Sequence, residues 1–250
     1  MKYAAKVEYF GLNYAGFQRQ KNKPSVQGTI EEALSSILND DIKIHGAGRT
    51  DAGVSASGQV ISFETEKELL ELEDFRFHLN MVLPDDISIS GIKEVDQDFD
   101  ARHSCMGKVY RYRFSIGDKH PLLYGRVSYL GNRFFDEQAF RDALRLFEGE
   151  HRFHNFTTKK EDKDDFIRNV QPILVEKEND NYSLLFSSNG FMTYQIRFMV
   201  GAALKAGFHK ITIEEIKDRL ESGERNILPY KAPAEGLLLE KVIYEQDLFA

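Results

Sequence analysis

Gly46-Ala47-Gly48-Arg49-Thr50-Asp51-Ala52-Gly53-Val54-Ser55-Ala56 packs three glycines, three alanines and one carboxylate into eleven residues. Ile42 and Ile44 suggest a strand leading into this run, and Gln59-Val60-Ile61-Ser62-Phe63 reads as the strand leaving it. The run is therefore a loop between strands. Small neighbours leave the carbons of Asp51 uncovered and let a ligand approach the backbone closely, which makes Asp51 a candidate nucleophile. Arg49, two positions earlier, shares its face if the segment is extended. Two blander readings stand beside this one. The first is a glycine-rich turn capped by an aspartate. The second takes Gly46-Ala47-Gly48 as a phosphate loop, in a carboxylate-based hydrolase or a phosphate-binding enzyme, but the lysine of a Walker loop and the strand-turn-helix context are missing.

The rest of the chain alternates strands with helices. Tyr3, Ala5, Val7 and Tyr9 form one face of a first strand. Ser25 is placed to cap a helix striped by Ile30, Ala33, Leu34, Ile37 and Leu38. An acidic helix is expected from Glu66 to Met81, then a strand from Ile87 to Val95. A second unit opens at Lys108-Val109-Tyr110-Arg111-Tyr112-Arg113-Phe114-Ser115-Ile116, a strand with Tyr110, Tyr112, Phe114 and Ile116 on one face and Arg111 and Arg113 on the other. Asp136 is placed to cap a helix carrying Phe140, Ala143, Leu144 and Phe147 and ended by Gly149. Strands follow at Asn169 to Glu178 and Tyr182 to Ser187, and then a helix from Thr193 to Ala206 with Arg197 at the edge of its apolar stripe. A short helix starts at a Thr212 to Glu215 capping box, and a last strand covers Leu237 to Tyr244. This is a mixed α/β chain of the α+β type, with lobes 1–104 and 105–250 of similar element order, a largely antiparallel sheet and helices packed against it. The charged run Lys159 to Asp165 reads as an exposed loop.

With 250 residues, 42% hydrophobic and 29% charged, the chain suits a soluble globular enzyme. No apolar run is long enough for a bilayer, and Met1 to Val7 alternates like a strand rather than a signal peptide, so a cytoplasmic location without membrane association is expected. Cys105 alone excludes an intrachain disulfide, and His151 and His154 at helical spacing lack a third ligand, so no metal is expected. The net charge of −7 argues against a nucleic-acid partner until its distribution is considered. Residues 101–133 hold Arg102, Lys108, Arg111, Arg113, Lys119, Arg126 and Arg133 against the single acid Asp118, an excess of six positive charges suited to one wall of an RNA cleft.

Gly-Arg-Thr-Asp-Ala-Gly-Val around Asp51 resembles the signature of the tRNA pseudouridine synthase A family, in which the aspartate is the nucleophile. The strand at Lys108 resembles the family's second motif, a basic residue and then Tyr-Arg-Tyr, whose first tyrosine, here Tyr110, contacts the target base. Asn189-Gly190-Phe191-Met192-Thr193-Tyr194-Gln195-Ile196-Arg197-Phe198-Met199-Val200-Gly201 resembles the third, in which the arginine, here Arg197, pairs with the catalytic aspartate. Asn13 to Gln20, Ser25 to Gly28, Leu83 to Ile87, Phe99 to Arg102, Phe147 to His151 and Ala232 to Leu237 follow the family's stretches in its order. Departures are Ser55 for a common histidine, Phe17 for tryptophan, Arg152 for aspartate, and Thr193-Tyr194-Gln195 for Tyr-His-Met. The resemblance implies a pseudouridine synthase fold with its active site between lobes. It also implies a homodimer, and isomerisation of uridines 38, 39 and 40 in the anticodon stem-loop of tRNA without a cofactor. For that chemistry Arg49 is the candidate to fill the gap left by the flipped nucleotide, and Arg111 and Arg113 are candidates for contact with phosphates. The alternative is a catalytically silent RNA-binding protein or RNA chaperone of the same fold.

Overall fold

A computed structural model of the protein describes residues 1–131, 134–159 and 166–249. Arg133 and most of the run Lys159 to Asp165 lie outside the described residues. In chain order the elements are β1 (Lys2–Tyr9), α1 (Val26–Leu38), β2 (Ile44–Gly46), β3 (Ser55–Glu64), α2 (Leu72–Val82), β4 (Ile87–Glu94), β5 (Gly107–Ser115) and β6 (Ser128–Tyr129). They continue with α3 (Glu137–Arg145), β7 (Gly149–Arg152), β8 (Ile167–Val170), β9 (Leu174–Glu178), β10 (Asn181–Ser188), α4 (Gln195–Gly207), α5 (Ile213–Glu221) and β11 (Leu237–Ile243). The chain divides into two compact units, Met1–Lys108 with Leu238–Ala250, and Val109–Leu237. It thus passes between units twice, whereas the sequence reading divides it once, at 104/105.

In the first unit, β1 lies between β4 and β3, antiparallel to both, with Tyr3 opposite Phe63 and their rings 5.7 Å apart. β2 pairs antiparallel with β3, Ile44 opposite Phe63, and β11 returns parallel to β3, with Leu238 opposite Ser55. That pairing is why the last strand groups with the first hundred residues. All four residues of the expected β1 face are buried, and so is Ala4 on the other face. Ser25 Oγ accepts from Gly28 N–H at 3.2 Å and starts α1, which buries Ile30, Leu34 and Leu38. Each of those side chains contributes about 1.5–3 kcal/mol through removal from water. α2 begins six residues later than its acidic stretch suggests. The backbone N–H of Leu69 donates to Tyr3 Oη, a partner in β1 that takes it out of a helical ladder.

In the second unit, β10 lies between β5 and β8, with β7 beyond β8. β9 pairs antiparallel with β10, and β6 parallel with β5. Phe114 of β5 stacks on Tyr182 of β10 at 4.7 Å and 3°, Phe135 and Phe140 close around the pair, and Phe208 packs on Phe135. α3 is capped by Asp136, whose carboxylate accepts from Ala139 N–H at 3.0 Å. It ends at Arg145, short of Phe147, and Gly149 with φ +90° opens β7, a strand for which the sequence shows no clear alternation. The stretch Asn169 to Glu178 is two strands, because Pro172 lacks the N–H a continuous ladder needs. α5 carries the expected capping box between Thr212 and Glu215.

Candidate active site

The loop between β2 and β3 is held from below by side chains of the first unit. Tyr9 Oη and Thr50 Oγ1 are 2.7 Å apart, both on buried residues. Gln59, fully buried, donates from Nε2 to Gly48 O at 2.9 Å, and Ala47 N–H donates to Val60 O at 2.8 Å. Phe17 N–H donates to Thr50 O at 3.1 Å. Burial pushes the Tyr9 phenol far above its ordinary pKa, against the opposing pull of its hydrogen bonds with Thr50 and Gln59, so it remains a neutral hydroxyl. Val54 N–H donates to Asp51 O at 3.1 Å and closes a turn in which Gly53 takes φ +80°, a conformation a side chain would strain. Asp51 is thereby half-buried, between an exposed Arg49 and a buried Val54. Lys108 runs its stem over Gly48 and donates from Nζ to Cys105 Sγ at 3.3 Å.

The second unit carries Tyr110, Arg111, Arg113 and Arg197. Tyr110 is buried, and its ring meets Phe191 edge to face at 5.5 Å and 90°. Tyr112, two residues on, is wholly buried, with its hydroxyl 2.9 Å from Ser128 Oγ and donating to Pro233 O at 3.1 Å. Burial holds its phenol far above the usual range. Arg111 donates from Nη1 to Glu176 at 2.9 Å and to Ser183 Oγ at 2.7 Å, so its charge is already engaged by β9 and β10. Arg113 is exposed.

Arg197 is not the snorkelling helix-edge residue that its position suggests by default. It is buried, its Nε donates to Ala232 O at 2.8 Å, and Ala232 N–H donates back to Arg197 O at 2.8 Å. This reciprocal pair requires the segment at 230–232 to lie against α4. A Cβ on Gly201 would stand 2.3 Å from Tyr230 O, so glycine is what allows the approach. Sequence reasoning missed Tyr9, Gln59, Phe191, Lys231 and Ala232 as supports. Tyr9, Phe191, Lys231 and Ala232 touch their partners across 35 or more positions and Gln59 across eleven, and no local spacing reports such contacts.

Among the described residues no helix is long and apolar enough to cross a membrane, and no group of three or more His, Cys, Asp or Glu side chains is arranged to hold a metal ion.

Comparison with known proteins bears on the identity of this arrangement. A family model described as tRNA pseudouridine synthase matches residues 5–104 and 143–245, stretches that contain Arg49, Asp51 and Arg197 but not Tyr110, Arg111 or Arg113. The tRNA pseudouridine synthase A of Streptococcus mutans is 36% identical over 249 residues, covering 98% of this chain and 99% of the relative. That of Geobacillus sp. WCH70 is 36% identical over 240 residues, 96% of each chain, and that of Aquifex aeolicus 35% over 242 residues, 96% of this chain and 98% of the relative. With near-complete coverage at this identity and the Asp51 loop inside the matched stretches, the chain belongs to the tRNA pseudouridine synthase family.

Proposed function

We propose that the protein isomerises uridine to pseudouridine in the anticodon stem-loop of tRNA, at positions 38, 39 and 40, with Asp51 as nucleophile. The observation that carries this reading is a half-buried carboxylate on a loop fixed by buried polar side chains, within a chain of this family. The reaction breaks the bond between uracil N1 and ribose C1′, rotates the ring and joins C5 to C1′. N1 gains a proton and C5 loses one, so nothing is consumed and no cofactor is required. Asp51 bonds transiently to C1′ or to C6. Arg197 is assigned from its motif to pair with that carboxylate and keep it ionised. Tyr110 is assigned to stack on the uracil and to take or relay the proton leaving C5, which suits a hydroxyl on a ring already braced by Phe191. Arg49, exposed beside Asp51, is assigned to the space the flipped nucleotide vacates, at a cost of a few kcal/mol for unstacking. Of the two strand arginines, Arg113 is the better placed for phosphate, since Arg111 already holds Glu176. As in the family, the protein is assigned to the cytoplasm as a homodimer.

The test is incubation of the purified protein with unmodified tRNA and no added cofactor, followed by mapping of pseudouridine by mass spectrometry. Modification confined to the anticodon stem-loop is expected. Tight tRNA binding without product would favour the silent RNA-binding alternative, and product elsewhere in the tRNA would move the target site.

A further inference from the structure

Tyr194 stands at the N-cap of α4 with φ 62° and ψ 4°, in the left-handed region that a side chain as large as tyrosine seldom occupies. It makes no side-chain bond to the helix it precedes. Capping therefore does not explain it, since an extended Ser, Thr, Asp or Asn caps better. What the conformation achieves is a ring beside two cations: Arg197 Cζ lies 5.4 Å from its centroid and Lys231 Nζ 4.0 Å. Strained backbone of this kind persists where surrounding contacts over-determine it, and it collects at functional sites.

The guanidinium of Arg197 is held at a second point by Ala232 O. A hydrogen bond to Nε fixes one edge of the planar group, and the Tyr194 ring bears on the same group and restrains its plane. Lys231 and Ala232 are adjacent in sequence, so one short segment supplies both the carbonyl on Arg197 and the ammonium on the ring. Lys205 over the Tyr230 ring at 5.5 Å ties the same segment to α4 once more.

We propose that Tyr194 is a positioning residue for Arg197, its ring setting the plane of the guanidinium that acts in the reaction. The inference rests on the role given to Arg197 above. A misplacement of about 1 Å at a reacting group costs up to about 10²-fold in rate, which sets the scale of the effect.

The experiment compares Tyr194→Phe, Tyr194→Leu and Tyr194→Gly in the full-length protein, measuring kcat and KM on a tRNA transcript, Tm, and the ¹⁵N-resolved Nε–H resonance of Arg197. Phenylalanine keeps the ring and is expected to retain at least half of kcat. Leucine and glycine are expected to lower kcat about 10- to 100-fold, with KM for tRNA within about threefold. Glycine accepts φ 62° without strain, so its Tm should equal or exceed that of the wild type while its turnover falls. A purely structural cap would not separate the two readouts in that direction. Turnover of the glycine and leucine variants within twofold of wild type would overturn the proposal, as would rate losses that merely follow Tm. The Nε–H resonance should move and broaden in the leucine variant and not in the phenylalanine variant, and an unchanged resonance would overturn the proposal too. If the wild-type protein makes no pseudouridine, the functional reading fails and the resonance alone decides this one.

Discussion

The loop carrying Asp51 is held by hydrogen bonds, and the strand carrying Tyr110 by rings. Around the loop, Tyr9, Thr50 and Gln59 bind one another or the loop backbone at 2.7–2.9 Å, and little apolar bulk lies within the run itself. Along β5, Tyr110 meets Phe191, and Phe114 stacks on Tyr182 within a five-ring cluster. A net hydrogen bond and an aromatic pair are each worth about 0.5–1.5 kcal/mol, so strength does not distinguish them. Tolerance does. Hydrogen bonds weaken steeply with angle, and a buried group that loses its partner costs about 1–3 kcal/mol, whereas a ring keeps most of its contact through small shifts. Under the proposed chemistry, the carboxylate that reaches one carbon is thus fixed by directional bonds, and the ring that covers the face of a base by other rings.

The largest effect is expected from Asp51→Asn. The isosteric amide keeps the shape of the side chain and removes only its charge, so tRNA affinity should be nearly unchanged. Turnover should fall by more than about 10³-fold, the scale of a lost nucleophile. Turnover within tenfold of wild type would remove Asp51 from that role. Next comes a pair that separates the two tyrosines of β5. Tyr110→Phe keeps the ring on Phe191 and loses only the hydroxyl, so tRNA binding should persist while isomerisation slows about 10²-fold. Tyr112→Phe gives up its bonds to Ser128 and Pro233 and should instead lower stability by about 1–2 kcal/mol, a few degrees in Tm, with turnover within about threefold. Equal losses of rate from the two would mean that the wrong tyrosine carries the chemistry.

Tyr9→Phe tests the loop side of the comparison directly. It removes one hydroxyl from beneath Thr50 and leaves a buried Oγ1 without that partner, at about 1–3 kcal/mol. If directional bonds position Asp51, kcat should also fall by about tenfold, although Tyr9 is 42 positions away in sequence. A loss of stability with full turnover would show that the loop holds its shape without this bond.

What the sequence discloses and what it hides follow the same division. Alternation and caps place β1, β5, α1, α3 and α5 well, since Ser25, Asp136 and the Thr212 box act within a few residues of themselves. The Asp51 run is legible as a loop because glycine and alanine report their own lack of bulk. One boundary fails where a distant partner intervenes, since Tyr3 takes the Leu69 N–H ahead of α2, and another where hydrophobicity alone runs together a strand that Pro172, within the stretch itself, splits. The supports of the site are the least legible part. Nothing local to Arg197 announces that Ala232 will accept from its Nε, and the departure at Tyr194 has no visible meaning until φ and the two cations around its ring are known.

The smallest effect sharpens the comparison from the ring side, by asking whether charge contributes where rings dominate. Glu137, at the start of α3, accepts from Lys177 Nζ at 2.6 Å, from Arg141 Nε at 2.8 Å and from Tyr182 Oη at 3.2 Å, Tyr182 being the ring stacked on Phe114. The Lys177 ammonium above all, then Arg141 and Tyr182, outweigh burial and hold its carboxyl at about 2. A carboxyl lowered in the folded state stabilises fully above its unfolded value, near 4.3, and loses that contribution as pH falls through about 2. Glu137→Gln should therefore lower Tm at pH 7 and cost progressively less from about pH 4.5 downward. The site is nearly a third exposed, so solvent screening limits the effect to about 1 kcal/mol, or about 2–4 °C. Thermal melts of both proteins between pH 7 and pH 3 decide it. A difference that stays constant with pH would assign the loss to packing rather than charge, and one above about 6 °C would mean that this ion cluster, not the ring stack it adjoins, organises the second unit.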